Sequence, residues 1–495
     1  MGGTYQTGSI IAVVAVFLRV ADIAVNAIDV NAVEAEWAIV KEATQTGPVV
    51  NTAQGKVQGM IVAGMGPQQK NMSAFLGIPY AAAPIGNLRF MPPAAPKSWT
   101  SVRMATQFGA MCLQLAPPGY NTSLLKFAEN CLFVNVFTPN PSKRANLPVL
   151  FWIHGGAFVI GGSSTYPPAS IIGLTSQNVV VVSINYRLNV FGFFNSHNSK
   201  IPGNMGLRDQ IMALQWTKKN IANFGGNPNK ITIWGESAGS ASVSFLTMSP
   251  LSKGMISGAI MESGSAFCPW ALDGNAYAFR TNSRDVAIQL GCITKSQWNQ
   301  GTAMGNMLTC LQKANATLLT MIGNFNNQLK MPRSWSPVID GPQGSNAQSP
   351  VVPDWPRNLA KSRAKVPMII GSNHDEWADF LIGIFSPKPS YIANYTQAYF
   401  QGVLGNAVAP SANFGKMAPA IASAASFAYT PYNPPIAPND HTGWFTAAVQ
   451  ASSGATFFAA IRSDIDSAAM TKNPNVYVYS FDYVSAARPY PQNYP

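Results

Sequence analysis

The order of apolar runs predicts an α/β fold: a mostly parallel central sheet with helices on both faces. Three observations lead there. Short apolar runs of strand length recur along the 495 residues and alternate with stretches of helical period. One run, Ile231-Thr232-Ile233-Trp234, leads directly into Gly235-Glu236-Ser237-Ala238-Gly239 and then into a helix-compatible stretch from Ser240. Another, Val149 to Ile153, leads into His154-Gly155-Gly156-Ala157-Phe158. Chemistry-bearing groups at the C-terminal ends of strands are what an open α/β sheet requires.

The elements follow in chain order. Ile10 to Leu18 is an apolar run of signal-peptide size, with small residues near Ala24 and Ala27, although no positive charge of the usual kind precedes it. The expected organisation is a candidate signal peptide over 1–27, a poorly ordered prefix over 28–46 and one large domain over 47–495. Val49 to Val62, turning at Gln54-Gly55, predicts an N-terminal hairpin at the sheet edge. Later strands are read at Leu150 to Ile153, Val179 to Asn185, Ile231 to Trp234, Ile260 to Glu262, Val366 to Ile370 and Val476 to Phe481. Leu207, Ile211, Leu214 and Ile221 recur at helical spacing. Asn433-Pro434-Pro435 and Pro438-Asn439 read as loops. No apolar run reaches the ~18 residues of a membrane-spanning helix.

The glycine-flanked serine has a physical logic. A strand that turns sharply into a helix through G-x-S-x-G exposes the serine hydroxyl above the sheet, at the positive end of the helix. Side chains at the flanking positions would clash, so glycine stands there. Acyl transfer builds negative charge on a carbonyl oxygen, and backbone N–H donors lower that barrier by on the order of 3 kcal/mol each. The turn after Ile153, through Gly156 and Ala157, would supply two such donors, and Ala238 a third. Ser237 is therefore the candidate nucleophile.

The chain at this point resembles the type B carboxylesterases, the family that includes cholinesterases and several fungal lipases. The resemblance rests on the two motifs above and on further stretches. Phe75-Leu76-Gly77-Ile78-Pro79-Tyr80-Ala81, with Pro84 and Leu88-Arg89-Phe90, looks like the family's N-terminal signature. Glu129-Asn130-Cys131-Leu132-Phe133-Val134-Asn135-Val136 is similar to its second signature. Asn185-Tyr186-Arg187, Gly203 to Gln210 and Phe224-Gly225-Gly226-Asn227-Pro228 also match. The resemblance implies an α/β-hydrolase fold and serine hydrolysis of carboxylic esters through an acyl-enzyme, with no metal or cofactor.

By the same resemblance the triad acid lies in Gly371-Ser372-Asn373-His374-Asp375-Glu376 and maps to Glu376, with Asp375 its neighbour and competitor. Trp377 departs from the family's pattern, which usually has glycine after the acid, and its bulk would reshape the pocket wall. Arg89 with Glu129 and Arg187 with Asp209 resemble internal ion pairs of the family. Glu236 would tune the site electrostatically, and Ser263 would stand behind it. The pairs Cys112–Cys131 and Cys292–Cys310 look like the family's two small disulfide loops, and Cys268 resembles a free buried cysteine of some members.

A serine nucleophile needs a base, and the chain has four histidines: His154, His197, His374 and His441. In the family the base follows a late strand resembling Asn475 to Tyr483, in a His-Gly context. The chain ends twelve residues past Tyr483, so the sequence is expected to be C-terminally incomplete, with its histidine beyond Pro495. His441 has the right chain order but precedes that strand, and otherwise reads as a surface loop residue.

Composition bounds the partners. Charged residues are only 11%, which suits a large buried sheet. The net charge of +12 comes without a Lys/Arg cluster or stacking motif, which argues against nucleic acid and leaves contact with an anionic membrane surface open. Paired cysteines imply an oxidising, secretory or extracellular setting. Sequons at Asn71, Asn121, Asn315 and Asn394 agree with it. In the cholinesterases that the chain resembles, a tryptophan in the first disulfide loop faces the choline cation; the loop between Cys112 and Cys131 holds Tyr120 and Phe127 but no tryptophan, which argues against choline esters. A general carboxylic ester or acylglycerol, a small-molecule or lipid ester, is the expected substrate. The competing class is a catalytically inactive adhesion or binding module on the same fold. Oligomeric state is not legible.

Overall fold

The computed structural model describes residues 45–62, 71–115, 125–166, 168–273, 280–326, 331–332, 335–342, 344–382, 392–430 and 434–482. The candidate signal peptide and nearly all of the prefix lie outside these residues, as does Asn121.

The sheet is built from β1 (Gln45–Asn51), β2 (Lys56–Val62), β3 (Met72–Pro79), β4 (Phe133–Thr138), β5 (Leu147–Ile153), β6 (Val180–Ile184), β7 (Gly226–Glu236), β8 (Gly258–Glu262), β9 (Met368–Asn373) and β10 (Val476–Phe481). Their order is β1-β2-β3-β4-β6-β5-β7-β8-β9-β10, and a short strand, Arg103–Met104, pairs with β2. The ladders from β1 to β6 are antiparallel, and those from β6 through β5, β7, β8 and β9 to β10 are parallel. The expected hairpin is β1–β2, at the sheet edge. Two buried strands, β3 and β4, arise from the stretches read above as signatures. β9 starts two residues later than its apolar run and extends to Asn373, so the first half of the Gly371-to-Glu376 motif is strand.

Both faces of the parallel half are covered, and this explains its near-continuous apolar strands. Successive side chains point to opposite faces. Phe151, Ile153, Val182, Ile233 and Met261 join one core with Leu207, Ile211 and Leu214 of helix α1 (Met205–Asn220). Their neighbours Trp152, Val181, Trp234 and Ile260 form a second core on the other face. Helix α2 (Ala238–Met248) follows β7 directly and is buried along its whole length. Helix α3 (Met304–Lys313) carries Cys310 of one disulfide.

A third cluster belongs to helices α4 (Gln397–Val403), α5 (Ala418–Tyr429) and α6 (His441–Ser453), where Tyr395, Phe400, Leu404, Trp444, Phe445 and Val449 pack together. A π-helical turn, Gly454–Phe458, joins α6 to α7 (Ala459–Met470). No helix among the described residues is long and apolar enough to cross a membrane.

Both disulfides are present, Cys112–Cys131 and Cys292–Cys310, and Cys268 is free and buried. Arg89 bonds Glu129 and caps the carbonyls of Leu311 and Ala314 at the end of α3. Arg187 and Asp209 form a fully buried bidentate pair.

Candidate active site

Ser237 adopts φ 54°, ψ −121° between β7 and α2. Few L-residues occupy that region, and the surroundings hold this one there. Its N–H donates to the Glu262 carbonyl at 2.8 Å, and its own carbonyl accepts from Ala241 at 2.9 Å. The flanking glycines are required by space: a Cβ on Gly239 would lie 2.0 Å from the Ile153 carbonyl oxygen, and one on Gly235 2.5 Å from Gly239. Ala238 opens α2, so its N–H is among those with no acceptor inside the helix.

The turn after β5 lies against this elbow because β5 and β7 are parallel neighbours, with Ile153 opposite Gly235. A Cβ on Gly155 would come within 2.5 Å of Glu236 Oε2 and 3.1 Å of Ser237 Cβ. Gly156, Ala157 and Phe158 follow with φ of 103°, 53° and 61°. Three consecutive positive φ values curl the chain so that the Gly156 carbonyl accepts from Val159 and Ile160. Gln114 grips the far end of the turn: its amide accepts from Gly161 N and donates to the Gly161 carbonyl, both at 2.8 Å. Gln114 stands two residues from Cys112, so the first disulfide loop braces the turn. No sequence signal singled out Gln114.

His154 is buried, stacks on Tyr186 with ring centroids 4.4 Å apart, and places Nδ1 2.8 Å from the Gly155 carbonyl. Burial pushes its imidazole down to about 4, so it is neutral at physiological pH.

Three carboxylates surround the elbow. Glu236 is pushed up to about 8 by burial, with Glu376 and Glu262 adding to the effect. Burial pushes Glu262 up to about 8 as well. Glu262, which the sequence reading treated only as the end of a strand, spans the elbow and the acid loop: its carbonyl takes the Ser237 N–H, and the next residue, Ser263, donates to Gly371 at 2.9 Å. Ser263 itself is buried at φ 56°.

Glu376 lies in the turn after β9, where its Oε1 accepts from Asn373 N at 2.8 Å. Asp375 is turned outward: its carboxylate is half exposed and bonds His374 Nδ1 at 3.1 Å and Gln450 Nε2 at 2.6 Å. Of the two neighbours, Glu376 is the one whose charge is felt at Glu236.

The four imidazoles are engaged elsewhere. His154 belongs to the glycine turn and His374 to Asp375. His197 sits with Asn195 and edge-on to Trp298. His441 is the first residue of α6, with Asp440 as N-cap and Nδ1 2.8 Å from the Tyr395 carbonyl, which corrects its reading as a loop residue.

A model of the carboxylesterase family matches residues 46–495. The chain belongs to that family. Among similar proteins, carboxylesterase 1F of Mus musculus is 39% identical over 348 residues, covering 66% of this chain and 59% of the relative. Liver carboxylesterase 1 of Oryctolagus cuniculus is 38% identical over 354 residues, covering 67% and 59%. An acylcarnitine hydrolase of Mus musculus is 36% identical over 377 residues, covering 74% and 62%. The chain thus spans about three fifths of the length of the curated relatives it matches. Its mostly parallel sheet flanked by helices is the α/β-hydrolase architecture of that family.

Proposed function

We propose that the protein hydrolyses carboxylic esters through an acyl-enzyme on Ser237. The carrying observation is the strained Ser237 backbone with the Gly155-Gly156-Ala157 turn packed against it. Strain of this kind costs of order 1–3 kcal/mol and persists where the site needs it, which favours a hydrolase over an inert binding module. Ser237 Oγ attacks the ester carbonyl carbon, and the charge developing on its oxygen is met by the N–H groups of Gly156, Ala157 and Ala238. The C–O bond to the alcohol then breaks, the alcohol leaves with the proton taken from serine, and water releases the acid. Glu376 is the triad acid, which orients an imidazole and stabilises its charged form. Ester cleavage needs that imidazole at Ser237, and the four described above are held elsewhere; His441 bonds Tyr395 instead.

The substrate is a small-molecule or lipid ester. Secretory passage is supported by the two disulfides and by the exposure of Asn71, Asn315 and Asn394 as glycan acceptors. Peripheral contact with an anionic membrane surface is consistent with the charge of +12. A fluorophosphonate probe should add one covalent label, read by intact mass, and Ser237→Ala should abolish it. A folded chain that takes no label overturns the proposal.

A further inference from the structure

Helix α6 and the π-helical turn that follows it present three side chains at a spacing of three residues, and all three bond the turn that carries Glu376. Gln450 Nε2 donates to Asp375 Oδ1 at 2.6 Å and to the His374 carbonyl at 3.4 Å. Ser453 Oγ, fully buried, accepts from Trp377 N at 3.1 Å. Thr456 Oγ1 accepts from the Trp377 indole N–H and donates to the Ser452 carbonyl at 2.7 Å. Every residue from His374 to Trp377 except Glu376 is thereby tied to one helix face, and Glu376 is tied back to Asn373.

The π-helical turn Gly454–Phe458 follows Ser453 directly and carries Thr456. Gly454 is the residue at which the widening begins, and a Cβ there would lie 2.0 Å from Tyr429 Oη of α5. A side chain at 454 would therefore have to displace the Tyr429 hydroxyl.

We infer that Gln450, Ser453 and Thr456 are positioning residues that fix the acid turn and so present the Glu376 carboxylate to the elbow. The inference rests on Glu376 acting as the triad acid. None of the three needs to touch substrate. Trp377 gains a role from the same geometry: its indole, where the family usually has glycine, is the handle by which Thr456 holds the turn, while Ser453 takes its backbone N–H.

Two measurements on the full chain test it. Amide hydrogen exchange should show the Trp377 N–H exchanging at least about tenfold faster in Ser453→Ala than in the parent, with the Ser237–Ala241 amides unchanged. Hydrolysis of 4-nitrophenyl butyrate should show kcat lowered about tenfold in Gln450→Ala and Ser453→Ala with KM unchanged, and Ser453→Thr should restore it. Unchanged exchange at Trp377 overturns the inference whether or not the chain hydrolyses esters. Faster exchange with kcat unchanged also overturns it, because the turn would then be held without consequence for the acid. A parent chain that neither takes the fluorophosphonate nor cleaves the ester counts against the hydrolase proposal, and exchange alone then decides whether the helix holds the turn.

Discussion

Ser237 shows how much of a residue's role is set by what its neighbours cannot be. Its φ of 54° is kept by hydrogen bonds to Glu262 and Ala241, and by glycines at 235 and 239 that no side chain could replace. The carboxylates behind it have a measurable cost. Glu262 is buried, its Oε1 has no hydrogen-bond partner among the described residues, and its value rises from the ordinary 4.5 to about 8. A raised carboxyl holds its proton in the folded state where the unfolded chain has lost it. Stability therefore falls as pH climbs from 4.5 to about 8. Glu262→Gln removes that dependence, so its stability advantage over the parent should widen across this window, by at most roughly 1.4 kcal/mol per pH unit, and then level off. Thermal melts of both proteins at several pH values read it out; a gap that stays constant would mean Glu262 titrates as an ordinary carboxylate. His154 acts on the acid side, because its lowered value withdraws stability as pH falls from 6.5 towards about 4.

At the scale of elements, the two disulfide loops have similar lengths and different duties. Their cysteines are 19 and 18 residues apart, and each loop should add about 3 kcal/mol by restricting the unfolded chain. The Cys112–Cys131 loop also positions Gln114 against Gly161 at the end of the glycine turn. The Cys292–Cys310 loop leads into α3, whose last carbonyls are capped by Arg89. Replacing Cys292 and Cys310 together by serine should lower the denaturation midpoint and leave the rate of fluorophosphonate labelling unchanged. The same change at Cys112 and Cys131 should lower both. Equal effects on labelling would show that the first loop does not brace the turn.

Across the whole molecule, one buried carboxylate ties together segments far apart in sequence. Asp464 of α7 accepts from Ser244 of α2 at 2.7 Å and from Ser265 after β8 at 2.6 Å, and pairs with Arg363 ahead of β9. Asp464→Ala leaves the Arg363 charge buried without its partner and should cost about 3–5 kcal/mol, measured by urea unfolding. Replacing Arg363 and Asp464 together by apolar residues of similar size should recover much of that loss. A double variant as weak as Asp464→Ala would mean that the hydroxyl bonds, and not the unpaired charge, carry the effect.

The elbow, the glycine turn, the parallel strands and both disulfide pairs were legible in the sequence, because each leaves a short local signature: an apolar run, a glycine where a side chain cannot fit, a cysteine spacing that resembles a family's. Strands β3 and β4 were hidden for the opposite reason, since stretches buried on both faces show little alternation. The helical cluster around Tyr395 and Trp444 was illegible because its partners lie on helices separated by loops of irregular length. Asp464, Gln114 and the Gln450–Ser453–Thr456 face left no trace in pattern, because an ordinary polar residue acquires its role only from what the folded chain brings beside it. Sequence alone determined the strand–helix turn at Ser237, through glycines at 235 and 239 that leave no room for a side chain. Tertiary structure decided that Asp375 is turned outward, because its partner Gln450, 75 residues away, meets it only in the folded chain.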